Sequence, residues 1–271
     1  MSATLSSTER EPVLLRADDG GTAVLTLNRP HARNALSEGL IEALTVELDA
    51  IARQPSVKAV ILAASAGPCF SSGHDLKEMT ARRADADRGR AYYEDVLGRC
   101  SALMQRIVRL PQPVIAAVET LATAAGCQLV ASCDLAVAGE EARFCTPGVH
   151  IGLFCSTPMV ALSRNLSRKH AMELLLTGAA VPAGDALRMG LVNRVVPKGQ
   201  ALEGARDFAR TIASKSGPVL AIGKRAFYEQ LEMGLSDAYA HASRVMVENM
   251  LARDAEEGIG AFLAKREPRW E

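Results

Sequence analysis

Residues 114–138, V-I-A-A-V-E-T-L-A-T-A-A-G-C-Q-L-V-A-S-C-D-L-A-V-A, decide the fold. Val114, Ile115 and Val118 begin an apolar run of the kind that forms a strand buried on both faces. The run thins to small residues between Ala122 and Gly126, and a helical spacing takes over through Ser132. Residues 69–79, C-F-S-S-G-H-D-L-K-E-M, make the same change, from strand through Ser-Ser-Gly into a helix. A helix N-terminus leaves about four N–H groups without intrahelical partners, and its dipole favours negative charge. Small residues at such a turn let a ligand approach the backbone closely. Two turns of this kind aimed at one point would stabilise charge developing on a carbonyl oxygen.

Working outward, residues 12–16 and 21–28 read as strands joined at Asp18-Asp19-Gly20-Gly21, a hairpin signal. A helix follows over 37–54. Leu40, Ile41, Leu44, Leu48 and Ile51 fall at helical spacing behind Ser37, a plausible N-cap. Residues 57–63 are a continuous apolar run suited to a buried strand. The order strand, strand, helix, strand suggests a repeated ββα unit. Residues 80–90 are highly charged with no apolar stripe, which fits a solvated helix end or loop, or a polar flap over a cleft. Residues 92–110 read as an amphipathic helix stopped by Pro111 and Pro113, and 134–138 as a short buried strand. A helical pattern over 162–180 places Met172, Leu175 and Leu176 on one side. Residues 182–189 form a short helix ended by Gly190, and 192–196 a strand. From Ala201 the pattern is helical throughout: 201–214, 217–233, 236–252 and 255–265. The chain therefore divides near Gly199 into a disordered N-terminus (1–11), a strand-containing core (12–199) and a helical region (200–271).

Composition narrows the functional classes. Lysine and arginine balance aspartate and glutamate at 31 each, so no net charge is available for nucleic acid or an anionic membrane. The six cysteines form no C-x-x-C pair and sit mostly among apolar neighbours, the pattern of buried thiols rather than disulfides or a metal site. No run approaches the 18 or so apolar residues of a membrane span, and the start lacks a charged-then-apolar signal. A cytoplasmic location is the expectation.

Four motifs are similar to those of the crotonase (enoyl-CoA hydratase/isomerase) superfamily. F-S-S-G-H-D-L-K-E-M (70–79) resembles the family's first oxyanion segment and A-A-G-C-Q-L-V-A-S-C-D-L-A-V-A (124–138) its second. N-R-P-H-A-R-N-A-L-S (28–37) resembles its N-terminal signature and G-L-V-N-R-V-V-P (190–197) its late one. The resemblance spans roughly residues 13–265. It implies an α/β fold, a crotonase-like spiral of ββα units with a C-terminal helical trimerisation region. It also implies self-association as a homotrimer or a dimer of trimers. The expected ligand is an acyl-CoA thioester, with coenzyme A part of the substrate, no separate cofactor and no metal.

By this resemblance, Ser72 and Ala125 supply the backbone N–H groups that bind the thioester carbonyl oxygen, with Gly73 and Gly126 removing bulk beside them. Gly73, His74, Asp75 and Leu76, together with Ala35, line the adenine and pantetheine site. Arg33 pairs with a phosphate or remains a surface side chain. Phe262 and Lys265 match a C-terminal pair that in relatives reaches the nucleotide, sometimes of a neighbouring subunit.

Two departures bear on activity. Hydratases of the family use two glutamates, one acting on water and one delivering a proton to the α-carbon. Their positions hold Gln128 and Gly148 here. An amide orients water but is no base, and glycine offers no side chain. Other groups stand nearby in sequence. His150 and His74 are candidate bases or structural histidines. Glu119 reads as a cap or ion pair, or as a group reaching the cleft. Cys127 is a remote candidate nucleophile. The readings left open are an enzyme of this family acting on an unidentified acyl-CoA with a substituted acid–base group, an inactive acyl-CoA-binding or regulatory protein, and a thioesterase or decarboxylase.

Overall fold

The computed structural model describes residues 11–270. The disorder expected over residues 1–11 lies, Glu11 aside, outside the described residues. The chain opens with a hairpin, β1 (Leu14–Asp19) against β2 (Thr22–Leu27), antiparallel from Leu14↔Leu27 to Asp19↔Thr22. Helix α1 (Glu38–Ala52) follows, and the Ser37 hydroxyl accepts from the Leu40 N–H, the capping its sequence suggests.

From there strands arrive in pairs, and each pair is split between two sheets. β3 (Ala59–Ala64) and β4 (Cys69–Ser71) are followed by α2 (Leu76–Ala81) and the long α3 (Arg90–Arg109). Then β5 (Val114–Val118) and β6 (Leu121–Thr123) lead into α4 (Ala125–Ser132). β7 (Leu135–Gly139) and β8 (Arg143–Cys145) precede α5 (Ser156–Asn165) and α6 (Arg168–Thr177). β9 (Val181–Pro182), α7 (Ala183–Met189) and β10 (Arg194–Val196) complete the strands. The six-stranded sheet runs β1-β2-β3-β5-β7-β10 and the four-stranded sheet β4-β6-β8-β9. Each ββα unit thus adds one parallel strand to each sheet, which is the spiral the sequence pattern suggests.

Two apolar layers hold this together. The larger packs α1 and α3, through Leu40, Leu44, Leu48, Val96, Leu103 and Ile107, onto one face of the six-stranded sheet and around α4. On the other layer Ala201, Ala205 and Ala209 of α8 (Ala201–Ala213) lie on Val24, Ile61, Ile115 and Val137. A Cβ at Gly204 would stand 2.9 Å from Val137 Cγ1, so small residues set how closely α8 approaches the sheet. The division expected near Gly199 therefore does not follow packing, because α8 is a core helix.

Beyond α8, neither α9 (Gly217–Gln230) nor α10 (Leu235–Met250) has a buried residue, and α11 (Arg253–Leu263) buries only Asp254 and Ala261. A polar clamp fixes α9 to the core. Lys224 Nζ lies 2.6 Å from Asp134 Oδ2 and donates to the carbonyls of Ile107 (3.0 Å) and Gln112 (3.1 Å). The Tyr228 hydroxyl donates to the other Asp134 oxygen at 3.0 Å.

One helical reading needs correction. The stretch 162–180 is not a single helix; α5 and α6 meet at 166–167. On α6 the inward face is Ala171, Leu174 and Leu175, while Met172 and Leu176 point outward.

Candidate active site

The two small-residue turns press against each other. A Cβ at Gly126 would lie 2.3 Å from the Ser71 carbonyl oxygen, so no side chain fits there. Gly73 has φ +84, and a Cβ on it would stand 2.9 Å from Ala124 Cβ and 3.0 Å from Ala125 N. Between them Ala124 holds φ 51 and ψ −122, a region that L residues rarely enter. This strained residue directs the chain from β6 into α4 and makes Ala125 the helix's first residue. Among the described residues, the Ala125 N–H meets no backbone acceptor outside its helix.

The Ser72 N–H is differently placed. Read from the sequence it is an open donor, but it donates to the Arg33 carbonyl at 3.0 Å. The segment carrying that carbonyl is held in several ways. Arg33 and Asn34 are both left-handed (φ 52 and 50). The buried Asn34 accepts from the Arg29 N–H (2.7 Å) and donates to the Cys69 carbonyl (3.0 Å). The Leu36 N–H donates to the Gly73 carbonyl at 2.8 Å. Arg29 bridges the buried Ala35 carbonyl (2.8 Å) and the Asp75 carboxylate (3.2 Å). Asp75 also caps α2, accepting from the Lys77 N–H at 3.1 Å, so its side chain is structural.

The model of the enoyl-CoA hydratase/isomerase family matches residues 18–271. The chain belongs to that family. It is 47% identical over 270 residues to enoyl-CoA hydratase domain-containing protein 3, mitochondrial, of Rattus norvegicus, covering 99% of this chain and 88% of the relative. A putative enoyl-CoA hydratase of Thermus thermophilus is 36% identical over 260 residues, 95% of this chain and all of the relative. Among solved structures, an enoyl-CoA hydratase of Mycobacterium smegmatis superposes with a TM-score of 0.90 at 50% identity, covering 96% of this chain and 99% of that one. Human enoyl coenzyme A hydratase domain-containing protein 3 gives 0.89 at 46% identity, over 95% and 100% of the two chains.

Within this enoyl-CoA hydratase/isomerase family chain, the first position expected for a glutamate lies in the first turn of α4 and the second in the turn at Pro147–Ile151 that follows β8. Gln128 is 4% exposed, and its N–H closes the first helical bond onto the Ala124 carbonyl at 3.0 Å. Its side-chain Oε1 is buried without a hydrogen-bond partner. Gly148 is buried, and a Cβ there would stand 2.9 Å from both Cys155 Sγ and the Leu153 carbonyl. The space that a side chain at 148 would enter is therefore filled by sulfur and backbone. Burial raises the Cys155 thiol above its ordinary value, so it is no replacement base.

The other sequence candidates separate. The ring of His74, on the first turn, has both nitrogens buried without partners, and burial lowers its pKa. His150 is exposed and packs against Gly178, whose Cβ would lie 2.7 Å from its Nε2. Glu119 caps α8, accepting from the Gly199 N–H at 2.9 Å and from the Ala201 N–H. Cys127 is fully buried and its thiol is pushed far up by desolvation, which removes it as a nucleophile. All six cysteines are buried free thiols, as the sequence suggests. Arg33 is exposed, Leu76 is half exposed, and Phe262 lies 81% exposed on α11 with Lys265 left-handed just beyond it. Among the described residues, no hydrogen bond or ion pair joins that pair to the turns.

Sequence reading missed two residues here, Thr146 and Cys155. Thr146 is wholly buried and its hydroxyl finds no partner. Its place in F-C-T-P-G, two residues before Gly148, was the available signal.

Proposed function

We propose that this protein binds an acyl-CoA thioester and polarises its carbonyl at the meeting of the two turns, acting on an acyl-CoA outside ordinary two-glutamate hydration. The observation that supports this reading is the close packing of the two turns, where a Cβ on Gly73 would stand 3.0 Å from Ala125 N. The Ala125 N–H, at the positive end of α4, is the standing donor. The Ser72 N–H joins it by exchanging the Arg33 carbonyl for the thioester oxygen. Removing one such donor costs on the order of 10²–10³ in rate where an oxyanion develops.

Gln128 and Gly148 remove both carboxylates, so proton transfer by this pair is absent and the enolate-stabilising half of the chemistry remains. A second reading, an acyl-CoA-binding protein without turnover, draws on the same two residues and on Cys155 filling the space at 148. Decarboxylation or double-bond isomerisation with a water-borne proton is the enzymatic form that needs no side-chain carboxylate. Self-association as a trimer or a dimer of trimers is part of the proposal, supported by the apolar residues that α10 and α11 leave exposed.

The test is spectroscopic. Hexadienoyl-CoA bound in a polarising site absorbs to the red of the free thioester, and crotonyl-CoA hydration is followed in parallel. A red shift with hydration no faster than background supports the proposal. Binding without a shift removes the polarising role, and no binding removes the acyl-CoA reading itself.

A further inference from the structure

After α11 the chain turns back over it. Lys265 is left-handed (φ 53), and the Arg266 N–H donates to the Ala261 carbonyl at 3.0 Å, which closes the helix end. Residues 266–270 then return along one side of α11. The Arg266 guanidinium forks onto the two Glu257 oxygens at 2.7 and 2.8 Å, and the Arg269 N–H donates to Glu257 Oε1 at 2.8 Å. The Trp270 ring lies on the bare backbone of Gly258, where a Cβ would stand 3.1 Å from its Cη2. Its Nε1 donates to the Ser214 carbonyl at 2.9 Å, at the C-terminal end of α8, where helix carbonyls lack intrahelical partners. These contacts tie α11 to a core helix.

The grip is one-sided. Glu257, Gly258 and Ala261 share the side of α11 that the returning segment holds, while Ile259, Phe262 and Leu263, spaced i, i+3 and i+4, are exposed on another. The one apolar side chain that α11 buries is the Ala261 methyl, so hydrophobic burial alone fixes this helix weakly. Holding an apolar row still in water gains a single chain nothing, but it lowers the ordering cost of association. Resting on the self-association proposed above, we infer that residues 265–270 are a strap that sets the position of α11. Its outer row then joins the exposed apolar residues of α10 in a face that a second copy of the chain covers. Releasing the strap frees α11 and dissociates the assembly while the core stays folded.

Trp270 is the only tryptophan of the chain, so its fluorescence reports the strap directly. Gly258→Val puts a side chain on the seat of the ring. In that variant the emission is expected to move to the red as the ring enters water. The dissociation constant of the assembly, read by sedimentation equilibrium, is expected to rise about tenfold or more. The cooperative urea transition of the core, followed by far-ultraviolet circular dichroism, is expected to persist. Trp270→Ala gives the same sedimentation readout should the first variant fail to fold. Assembly unchanged in both variants overturns the inference and leaves self-association standing. An unshifted emission in Gly258→Val also overturns it, because the ring is then not seated on α11. Loss of the cooperative transition in both variants overturns it as well, since the strap would then support the core and not the interface. If the parent is a single chain in solution, the self-association proposal fails first, and this inference goes with it.

Discussion

Helices α4 and α10 stand at opposite extremes of the same molecule. All eight residues of α4 are buried, whereas none of the sixteen residues of α10 is. Yet α10 is no polar helix. It presents Leu235, Tyr239, Met246 and Val247 to the outside, and Leu251 beyond its end is 83% exposed. The difference teaches where each helix finds its neighbours. α4 is held by close backbone contacts within its own chain, which leave room for little beyond small residues. α10 carries apolar side chains that its own chain leaves uncovered, and a second copy of the chain is what the proposal supplies.

The largest effect that would break this contrast is on the α4 side. Gly126→Ala drives a Cβ to within 2.3 Å of the Ser71 carbonyl, where neither backbone can yield cheaply. We expect a loss of about 4 kcal/mol or more, or no folded protein, read by urea denaturation. Next comes the joint between the two regions. Lys224→Met leaves the part-buried Asp134 without its cation, though still bonded to the Val114 N–H and the Tyr228 hydroxyl, and a cost of about 3 kcal/mol is expected on the same assay. A loss below 1 kcal/mol would mean that α9 is docked by other contacts.

A smaller effect follows from pH. Burial lowers the His74 pKa, so in mild acid the unfolded chain binds a proton that the folded chain resists. Stability from this group is complete above about pH 6.5 and declines as pH falls below it, by less than about 1.4 kcal/mol per unit. Urea midpoints at pH 7.5 and 5.5 should converge in His74→Gln relative to the parent; an identical slope would remove His74 as the source. The smallest change in chain stability, within about 0.5 kcal/mol, is expected for Leu251→Glu on the open face. Sedimentation velocity should nevertheless show the assembly shifting to smaller species, and an unchanged mass would show that Leu251 lies outside any interface.

The sequence was most readable where apolar spacing had a single cause. The α1 stripe, the α3 stripe and the paired strand–turn–helix segments stood out because one buried face repeated at the helical or strand period. The four-stranded sheet was harder to see: β6 and β8 have three residues each, too few to establish a period. The alanine face of α8 reads in sequence as part of the helical tail because Ala201, Ala205 and Ala209 carry little hydrophobic signal, and only proximity to the sheet reveals their role. At the site, the facing turns are legible as residue types. The engagement of the Ser72 N–H by Arg33 is not, since backbone pairing across 39 positions leaves no mark on composition.

The contact at Gly148 has a consequence for how this cleft can change. A glutamate placed at 148 by one substitution meets the Cys155 sulfur and the Leu153 carbonyl before its carboxylate reaches anything. Trimming Cys155 alone leaves the carbonyl in place, so the segment 148–155 must be rebuilt together with the new side chain. The absence of a carboxylate at 148 is therefore a property of that loop's path as well as of the residue itself. A path toward an acidic pair at 128 and 148 runs through intermediates that are overpacked before the second carboxylate is seated, and the packing works as a ratchet.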